Sequence, residues 1–437
     1  PYRNGQTNMN LAQFVTGPII FGLLIASTSL PAEAADTALT LKGAQKVAID
    51  RSRLLTSKDY AAAAARDMAT AAGELPDPVL KVGIDNLPVE GVERFSLGRE
   101  SMTMRRIGVM QDLPRAEKRR LRSQRFEREA EKSLAEKAAL AATIERDTAV
   151  AWLSLYYAQR MAALVLEQLE QAKQELKAIE AAYRSGTSTQ AEILSAQSNL
   201  SQLENQKSEI ERRLRDARIA LARWVGEAAQ LPIAGEPNIH EVRLDLANIE
   251  RELNHHPELA VATKQQEIAT AEANLARADR KADWSVELAF QQRGSGYSNM
   301  VSLGVSIPLQ WNRKNRQDRE LSARLAQVEE ARAVRDEMLR AHVAELEAMI
   351  NEWKTNQDRH ARYVRELIPL ARSRVDAQMA SYRGGKASQA EVLAAKREET
   401  QMQLQAVELE TEIARLWAQI NFLVPTTSRL HTPFVSN

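Results

Sequence analysis

The sequence predicts a mainly α-helical protein built from two similar repeats, each of which also contains two short β-strands. Three observations carry this prediction. A tip-like segment occurs twice, and its two tyrosines, Tyr183 and Tyr382, are 199 residues apart. Each copy lies between long stretches whose apolar residues recur at helical spacing. Each half also contains two segments in which apolar and polar residues alternate, which is typical of strands.

The first 34 residues have the order of regions found in a secretory signal peptide. Arg3 is followed by the apolar run 14–26 and then by Ala32-Glu33-Ala34. We therefore predict a signal peptide at 1–34 that is cleaved near Ala34. The apolar run is shorter than the ~20 residues of a membrane-spanning helix, and no later segment is expected to span either. A retained membrane anchor is the alternative.

Composition excludes several classes of protein. The 437 residues are 44% hydrophobic, 5% aromatic and 27% charged, with a mean hydropathy of −0.41, which favours a soluble helical protein over a helical membrane protein. The 59 basic and 58 acidic residues balance, so nucleic acid is not expected as a partner. The absence of cysteine from the sequence excludes disulfides, thiolate metal sites, Cys nucleophiles and a lipidated N-terminal Cys.

Four segments have the period-2 alternation of β-strands, and they form two predicted hairpins, one in each half. They are 79–86, 102–113, 284–291 and 301–307. Lengths of about 8 to 12 residues, with one apolar face and one polar or small face, match strands of outer-membrane barrels. Four strands cannot close a barrel, and open sheet edges are not tolerated in hydrocarbon, so other copies of the chain would have to complete it. Two hairpins of a soluble mixed domain are the alternative.

Long helices are expected between the strands and each tip. The stretch 116–183 would be ~100 Å long as one helix, a length that suits a span across the periplasm. After each tip the apolar seam keeps 3,4,3,4 spacing for more than four heptads, which predicts a coiled-coil partner rather than an ordinary core helix. Each seam is interrupted by one polar residue, Lys207 or Glu399. The seams are Ile193, Ala196, Leu200, Leu203, Lys207, Ile210, Leu214, Ala217, Leu221 and Trp224, and Val392, Ala395, Glu399, Met402, Ala406, Leu409, Ile413, Leu416, Ile420 and Leu423.

No pattern in the sequence predicts catalysis, a cofactor or a metal site. The segment 385–388 resembles a phosphate-binding loop, but Ala387 and Ala380 replace two residues that the loop needs. The six histidines are scattered. His256 belongs to a turn before Pro257, and His342 has one carboxylate, that of Glu345, at helical spacing. We therefore expect neither an enzyme nor a metal-binding site.

These features together resemble the TolC family of outer-membrane efflux channels over essentially the whole mature chain. The resemblance rests on the duplicated strand-strand-helix-helix order, on the tips Tyr183-Arg184-Ser185-Gly186-Thr187 and Tyr382-Arg383-Gly384-Gly385-Lys386, and on Asn254-His255-His256-Pro257-Glu258-Leu259. Within the family the chain is most similar to the CzcC-type heavy-metal branch. That similarity is carried by Leu75-Pro76-Asp77-Pro78, Asp85-Asn86-Leu87-Pro88, and Val305-Ser306-Ile307-Pro308-Leu309 followed by Asn312-Arg313.

The resemblance implies a homotrimer in the outer membrane, with a twelve-stranded β-barrel and a long α-helical barrel that tapers across the periplasm. Its expected partners are membrane lipid, a periplasmic adaptor and an inner-membrane RND pump, and its expected cargo is heavy-metal cations. Drug efflux and type I protein secretion use the same fold and remain open, as does a periplasmic coiled-coil scaffold. The implied organisation is a signal peptide at 1–34, repeats at 35–225 and 246–425, a connector at 226–245 and a tail at 426–437.

The resemblance also places functional residues at the tips. The expected adaptor-docking residues are Arg184, Gly186, Thr187, Arg383, Gly385 and Lys386. Glu192 and Glu391 are expected near the narrow end of the tunnel, where three copies of each would form negative rings. The alternative for both is a helix-start residue that favours the positive helix end. Ala387 stands where relatives often carry a gate-locking Arg, so a gate built on that bond is not expected.

Overall fold

The computed structural model describes residues 38–244, 248–254 and 256–423. The expected signal peptide at 1–34, the tail at 426–437, part of the connector and His255 lie outside these residues. Along the described chain the helices are α1 (Leu41–Arg51), α2 (Arg53–Gly73), α3 (Ala116–Arg184), α4 (Gln190–Val225), α5 (Ile249–Leu253), α6 (Pro257–Asp279), α7 (Gln317–Arg362), α8 (Ile368–Arg383) and α9 (Gln389–Asn421). The strands are β1 (Val79–Asp85), β2 (Met104–Leu113), β3 (Trp284–Gln292) and β4 (Met300–Ser306).

Each repeat contains one long helical hairpin, as the sequence predicts. In the first repeat, α3 runs for 69 residues without a break, so it is ~100 Å long, and α4 returns along it. In the second repeat the outgoing helix is divided into α7 and α8 by a π-helical turn at Tyr363–Leu367. Pro369 follows in the first turn of α8. A proline lacks the N–H and crowds the carbonyl four residues earlier, and the wider π turn accommodates its ring.

The predicted seams are confirmed, because every seam residue in α4 and α9, and Leu423 just after α9, is buried or half-buried. The face that α9 buries is nevertheless wider than the seam. Leu393, Leu404 and Trp417 are also buried, since α9 packs against α3, α7 and α8 at once. A strict 3.5-residue repeat predicts one partner helix, so this additional contact surface could not be inferred from the spacing.

The duplication extends into the main hydrophobic core, where helices of both repeats meet. Trp152 of α3 is buried and donates its indole N–H to the Leu39 carbonyl, 2.9 Å away. Trp353 of α7 is also buried and donates to the Ile239 carbonyl at 3.3 Å. The two tryptophans are separated by almost the same number of residues as the two tips. In each repeat a buried indole N–H therefore holds a neighbouring segment through a backbone carbonyl.

One helix among the described residues is apolar enough to cross a membrane by length and composition, contrary to the expectation that no such segment follows the N-terminal run. It is α3, in which an 18-residue window reaches a mean hydropathy of 1.2. Half of that window is buried inside the protein, as in a core helix. Its hydropathy is therefore explained by packing within the chain.

The four strands form one antiparallel sheet in the order β1-β2-β3-β4, within two residues of each predicted boundary. The central pairing of β2 with β3 joins the two repeats, and β1 and β4 are the outer strands. Apolar residues in register form rows across one face, and one row consists of Leu80, Val109, Leu288 and Leu303. All four are exposed in the single chain, up to 73% for Leu303.

The opposite face of the sheet is charged. Lys81 Nζ lies 2.8 Å from Glu287 Oε2, and Arg106 pairs with the same carboxylate and with Asp85. Ser302 lies on this face and its hydroxyl bonds the Gln291 side chain at 3.1 Å. One face is therefore suited to lipid and the other to water, as the alternation predicts.

The two faces predict opposite responses to the same substitution. Leu288→Arg or Leu303→Arg would place a charge toward lipid and should lower the free energy of unfolding by about 2 to 4 kcal/mol near the bilayer midplane. Ser302→Arg is the matched control, since its side chain joins the charged face and should cost less. Denaturant titration of the protein folded into lipid vesicles measures the difference, and equal losses on both faces would contradict the assignment.

Candidate functional site: the hairpin tips

The two tips have the same backbone structure. In the first, the Gly186 N–H donates to the Tyr183 carbonyl at 3.0 Å and the Thr187 N–H donates to the Ala182 carbonyl at 2.9 Å. In the second tip the Gly385 and Lys386 N–H groups donate to the equivalent carbonyls, each at 2.9 Å. These bonds satisfy the last carbonyls of the outgoing helix in the manner of a Schellman motif.

Glycine is needed at one position of each turn. Gly186 has φ +79° and Gly385 has φ +71°, in the left-handed region that other residues rarely adopt. A Cβ at either position would meet no atom within 4 Å, so its cost would come from backbone strain alone. The role of these two glycines is therefore conformational, and the surface presented to a partner is made by the residues beside them.

Three of the expected docking side chains are free to meet a partner. Arg184, Arg383 and Lys386 are exposed, and the described part of the chain gives their side chains no hydrogen bond or ion pair. Thr187 differs, because its hydroxyl donates to the Ala182 carbonyl at 3.1 Å and so holds the turn itself. The tips therefore present three positive charges that form no ion pair among the described residues.

The two acidic residues expected at the constriction are parts of capping boxes at the starts of α4 and α9. The Thr189 N–H donates to Glu192 Oε2 at 2.8 Å, while the Glu192 N–H donates to the Thr189 hydroxyl. The Ser388 N–H donates in the same way to Glu391 Oε2 at 2.7 Å. Both glutamates are thus helix-start residues, as one of the two interpretations of the sequence has it.

These hydrogen bonds keep both carboxylates ionised. The Ser188 hydroxyl, 2.6 Å from Glu192 Oε2, contributes most to lowering the pKa of Glu192, and the Thr189 N–H adds to it. The backbone of Gln389, which belongs to the other tip, lowers the pKa of Glu192 further. The pKa of Glu391 is lowered first by the Ser388 N–H. Both side chains therefore carry a negative charge at neutral pH.

The structure packs the two tips of one chain together. Leu393, in the first turns of α9, is buried against Ile179 of α3 and Ala196 of α4. Together with the Gln389 contact, this means that Glu192 lies at the junction of the hairpins, whereas Glu391 lies on the exposed side of its own helix. The sequence predicts two equivalent tips, and packing gives them different surroundings.

A second group of polar residues was missed by the sequence analysis. His256 and His342, described there as scattered, lie with ring centroids 4.7 Å apart. His342 Nε2 is 3.2 Å from Glu258 Oε2. His256 begins α6 by accepting the Glu258 N–H at Nδ1, and burial, followed by the neighbouring His342, lowers its pKa to about 4. The two histidines are far apart in sequence, and only the packing of α6 on α7 unites them.

Comparison with known proteins agrees with this architecture. The chain is similar to the solved structure of the outer-membrane channel OprN, with 17% identity, a TM-score of 0.72, and coverage of 88% of this chain and 89% of that chain. It is also similar to the outer membrane protein VceC from Vibrio cholerae, with 19% identity, a TM-score of 0.71, and coverage of 88% of this chain and 95% of that chain. For CusC the identity is 16%, the TM-score is 0.73, and the coverage is 89% of this chain and 91% of that chain. At these identities the likeness shows the fold, and it confirms the predicted fold class. No curated protein sequence matches the chain.

The family comparison goes further than the fold. The profile of the outer membrane efflux proteins matches residues 46–227 and 248–424, which are most of the chain. Proteins of this family are non-enzymatic channels of the outer membrane that extend into the periplasm, and they work as trimers with an adaptor and an inner-membrane pump. The finer similarity to the CzcC-type branch has no support from these comparisons. The chain belongs to the outer membrane efflux protein family.

Proposed function

We propose that this chain forms a homotrimeric passive exit duct for heavy-metal cations in a tripartite RND efflux system. The observation that carries the duct is the continuity of the two-faced sheet with outgoing helices of ~100 Å in both repeats, each of which ends in a helical hairpin. A sheet with an apolar and a charged face suits a pore wall, and the hairpins supply a tunnel below it. Three copies would contribute twelve strands. We also propose that the two repeats have the bounds predicted from the sequence, 35–225 and 246–425.

The adaptor would dock on the two tips. Arg184, Arg383 and Lys386 are exposed and unpaired within the described residues, so they are available to carboxylates or helix C-terminal carbonyls of a partner hairpin. Gly186 and Gly385 set the turns that present them. Thr187 acts by supporting the first turn, and its contribution to docking is through that conformation.

The constriction would be lined by the capping glutamates. Three copies of Glu192 and three of Glu391 near a narrow opening would attract cations and repel anions. Their capping hydrogen bonds hold the carboxylates in place and keep them ionised at neutral pH. A cation-selective entrance agrees with a metal cargo, and the CzcC-type segments 75–78, 85–88 and 305–309 support the same substrate class.

Deleting the gene and measuring growth across metals and drugs tests the substrate. Sensitivity to one or more of copper, silver, zinc and cobalt, restored by the gene in trans, is the expected result. Sensitivity to drugs alone would replace the metal cargo by drug efflux. Loss of a secreted protein, with no sensitivity to metals or drugs, would indicate type I secretion.

Truncation of the tip cations should abolish efflux without affecting assembly. The variant Arg184→Ala/Arg383→Ala/Lys386→Ala removes the charges offered to the adaptor, at the far end of ~100 Å helices from the sheet. We expect cells with the triple variant to be as sensitive to the exported substrate as the deletion strain. The variant protein should still be a trimer by native mass spectrometry and be recovered from the outer membrane in normal amount. Arg332→Ala, an exposed cation on α7, is the control and should keep resistance. Full resistance of the triple variant at normal expression would place docking elsewhere.

The glutamate rings predict the pH dependence of ion selectivity. Glu192→Gln/Glu391→Gln should reduce cation preference in planar-bilayer conductance, while the Gln side-chain oxygens still accept the capping bonds. In the native protein the lowered pKa values should keep the preference constant from neutral pH down to about pH 5. The preference should fall as the pH drops through these lowered pKa values, and the stability that the ionised caps contribute should fall between the ordinary glutamate pKa and the lowered ones.

A matched control is Glu204→Gln, an exposed glutamate on α4 between the tips and the core. It should leave selectivity unchanged. If the double variant has the selectivity of the native channel at neutral pH, the two glutamates are structural caps and the constriction is formed by other residues.

A further inference from the structure

We propose that His256, Glu258 and His342 form a binding site for a divalent transition-metal ion of the Zn²⁺ type. The first two residues begin α6, and His342 lies on α7, which packs against it. Each of the three offers one ligand atom, and these atoms lie within 4.8 Å of one another. Two imidazole nitrogens and one carboxylate oxygen are a donor set that Zn²⁺ and its neighbours in the transition series prefer.

Coordination requires the three ligand atoms to move closer together, and Glu258 has the side chain most able to move. Bonds of about 2.0 to 2.2 Å in a tetrahedral site bring ligand atoms to about 3.4 Å from one another, which is closer than in the free site. The His256 and His342 side chains are held by packing, at 6% residue exposure and 18% side-chain exposure respectively. The Glu258 side chain is 52% exposed, so its carboxylate can close over an ion. Water would fill the remaining position from the solvent side.

A carboxylate lies near each ring nitrogen of His342. Glu345 Oε2 is 3.8 Å from His342 Nδ1, while Nε2 faces Glu258 at 3.2 Å. Despite its burial, Nε2 makes no hydrogen bond of good geometry among the described residues. A carboxylate that accepts the other N–H of a ligating histidine is a usual support of zinc ligands. The Glu345 side chain is 68% exposed, so it has room to approach Nδ1 for this role.

Coordination by His256 replaces one weak interaction. A neutral imidazole that binds a metal through one nitrogen carries its proton on the other. If Nδ1 of His256 binds the ion, its lone pair is used, and if Nε2 binds, Nδ1 is protonated. In both cases Nδ1 can no longer accept the Glu258 N–H. That bond is 3.3 Å long and therefore near the weak end of the range. The released N–H lies in the first turn of α6, where solvent can replace the lost acceptor.

Nearby charges favour a cation on balance. Arg146 is close enough to act on the charge of His256, which opposes a positive ion. Its guanidinium is already paired with Asp147, with Nε 2.9 Å from Oδ1. Glu258 and Glu345 add two carboxylates beside His342. An ion bound here would tie the start of α6 to the middle of α7 and stabilise the second repeat by mass action.

This site is independent of the exported substrate, and its test reads binding rather than efflux. Full-length protein purified in detergent and stripped of metal with EDTA is titrated with Zn²⁺ by isothermal calorimetry. We expect one ion per chain, a rise in thermal midpoint with Zn²⁺, and no such response to Mg²⁺. His342→Gln and Glu258→Gln should each weaken Zn²⁺ binding by at least about tenfold and remove the thermal response.

The matched control is His360→Gln, which removes a histidine from the same helical hairpin whose carboxylate neighbour is Glu410, at 3.8 Å. It should bind Zn²⁺ as the native protein does. Glu258→Gln changes a half-exposed side chain, so it keeps the test valid if His342→Gln fails to fold. Absence of saturable binding in the native protein, or unchanged affinity in the folded variants, would overturn the proposal.

Discussion

The outer strands of the sheet, β1 and β4, each have one edge that pairs with no other strand of the described chain. Hydrocarbon offers backbone N–H and C=O groups no partner, so a membrane-inserted sheet of this kind must be completed by neighbouring chains. The other features follow from that requirement. In a sheet closed in this way the exposed apolar rows would face lipid, the charged face with Lys81 and Glu287 would line the interior, and the hairpins would extend from the ring toward the periplasm.

The two repeats have the same order of elements, but their helices make different packing contacts. Both fasten a neighbouring segment with a buried tryptophan, and both end in a glycine turn followed by a capping glutamate. In the second repeat a π turn interrupts the outgoing helix, and α9 packs mainly on α3, α7 and α8, with a smaller contact to α4. Glu192 lies against the second tip, whereas Glu391 does not have an equivalent neighbour among the described residues. Duplication therefore supplies two similar hairpins, and their assembly makes them different.

Local structure could be predicted from the sequence wherever it depends on a residue type that recurs at a fixed spacing or occupies one position of a turn. Strand alternation, the heptad seams and the glycine turns are of this kind, and the Thr189-x-x-Glu192 pattern was a readable capping signal. Contacts between distant segments could not be predicted. The breadth of the α9 interface and the meeting of His256 with His342 depend on which helices become neighbours, and no spacing within one helix encodes that choice. Pro369 is a local signal for the helix break, because a proline disfavours the helical bond to the preceding turn.

Closure of the sheet between copies can be measured directly, because the sequence contains no cysteine. Val82→Cys in β1 is combined in turn with Val301→Cys, Leu303→Cys or Val305→Cys in β4, and membranes are oxidised. Within one chain β1 and β4 are separated by two strands, about 14 Å, which is too far for a disulfide. The account predicts covalent dimers and trimers for the pair in register. Monomers from all three pairs would contradict closure between neighbouring chains.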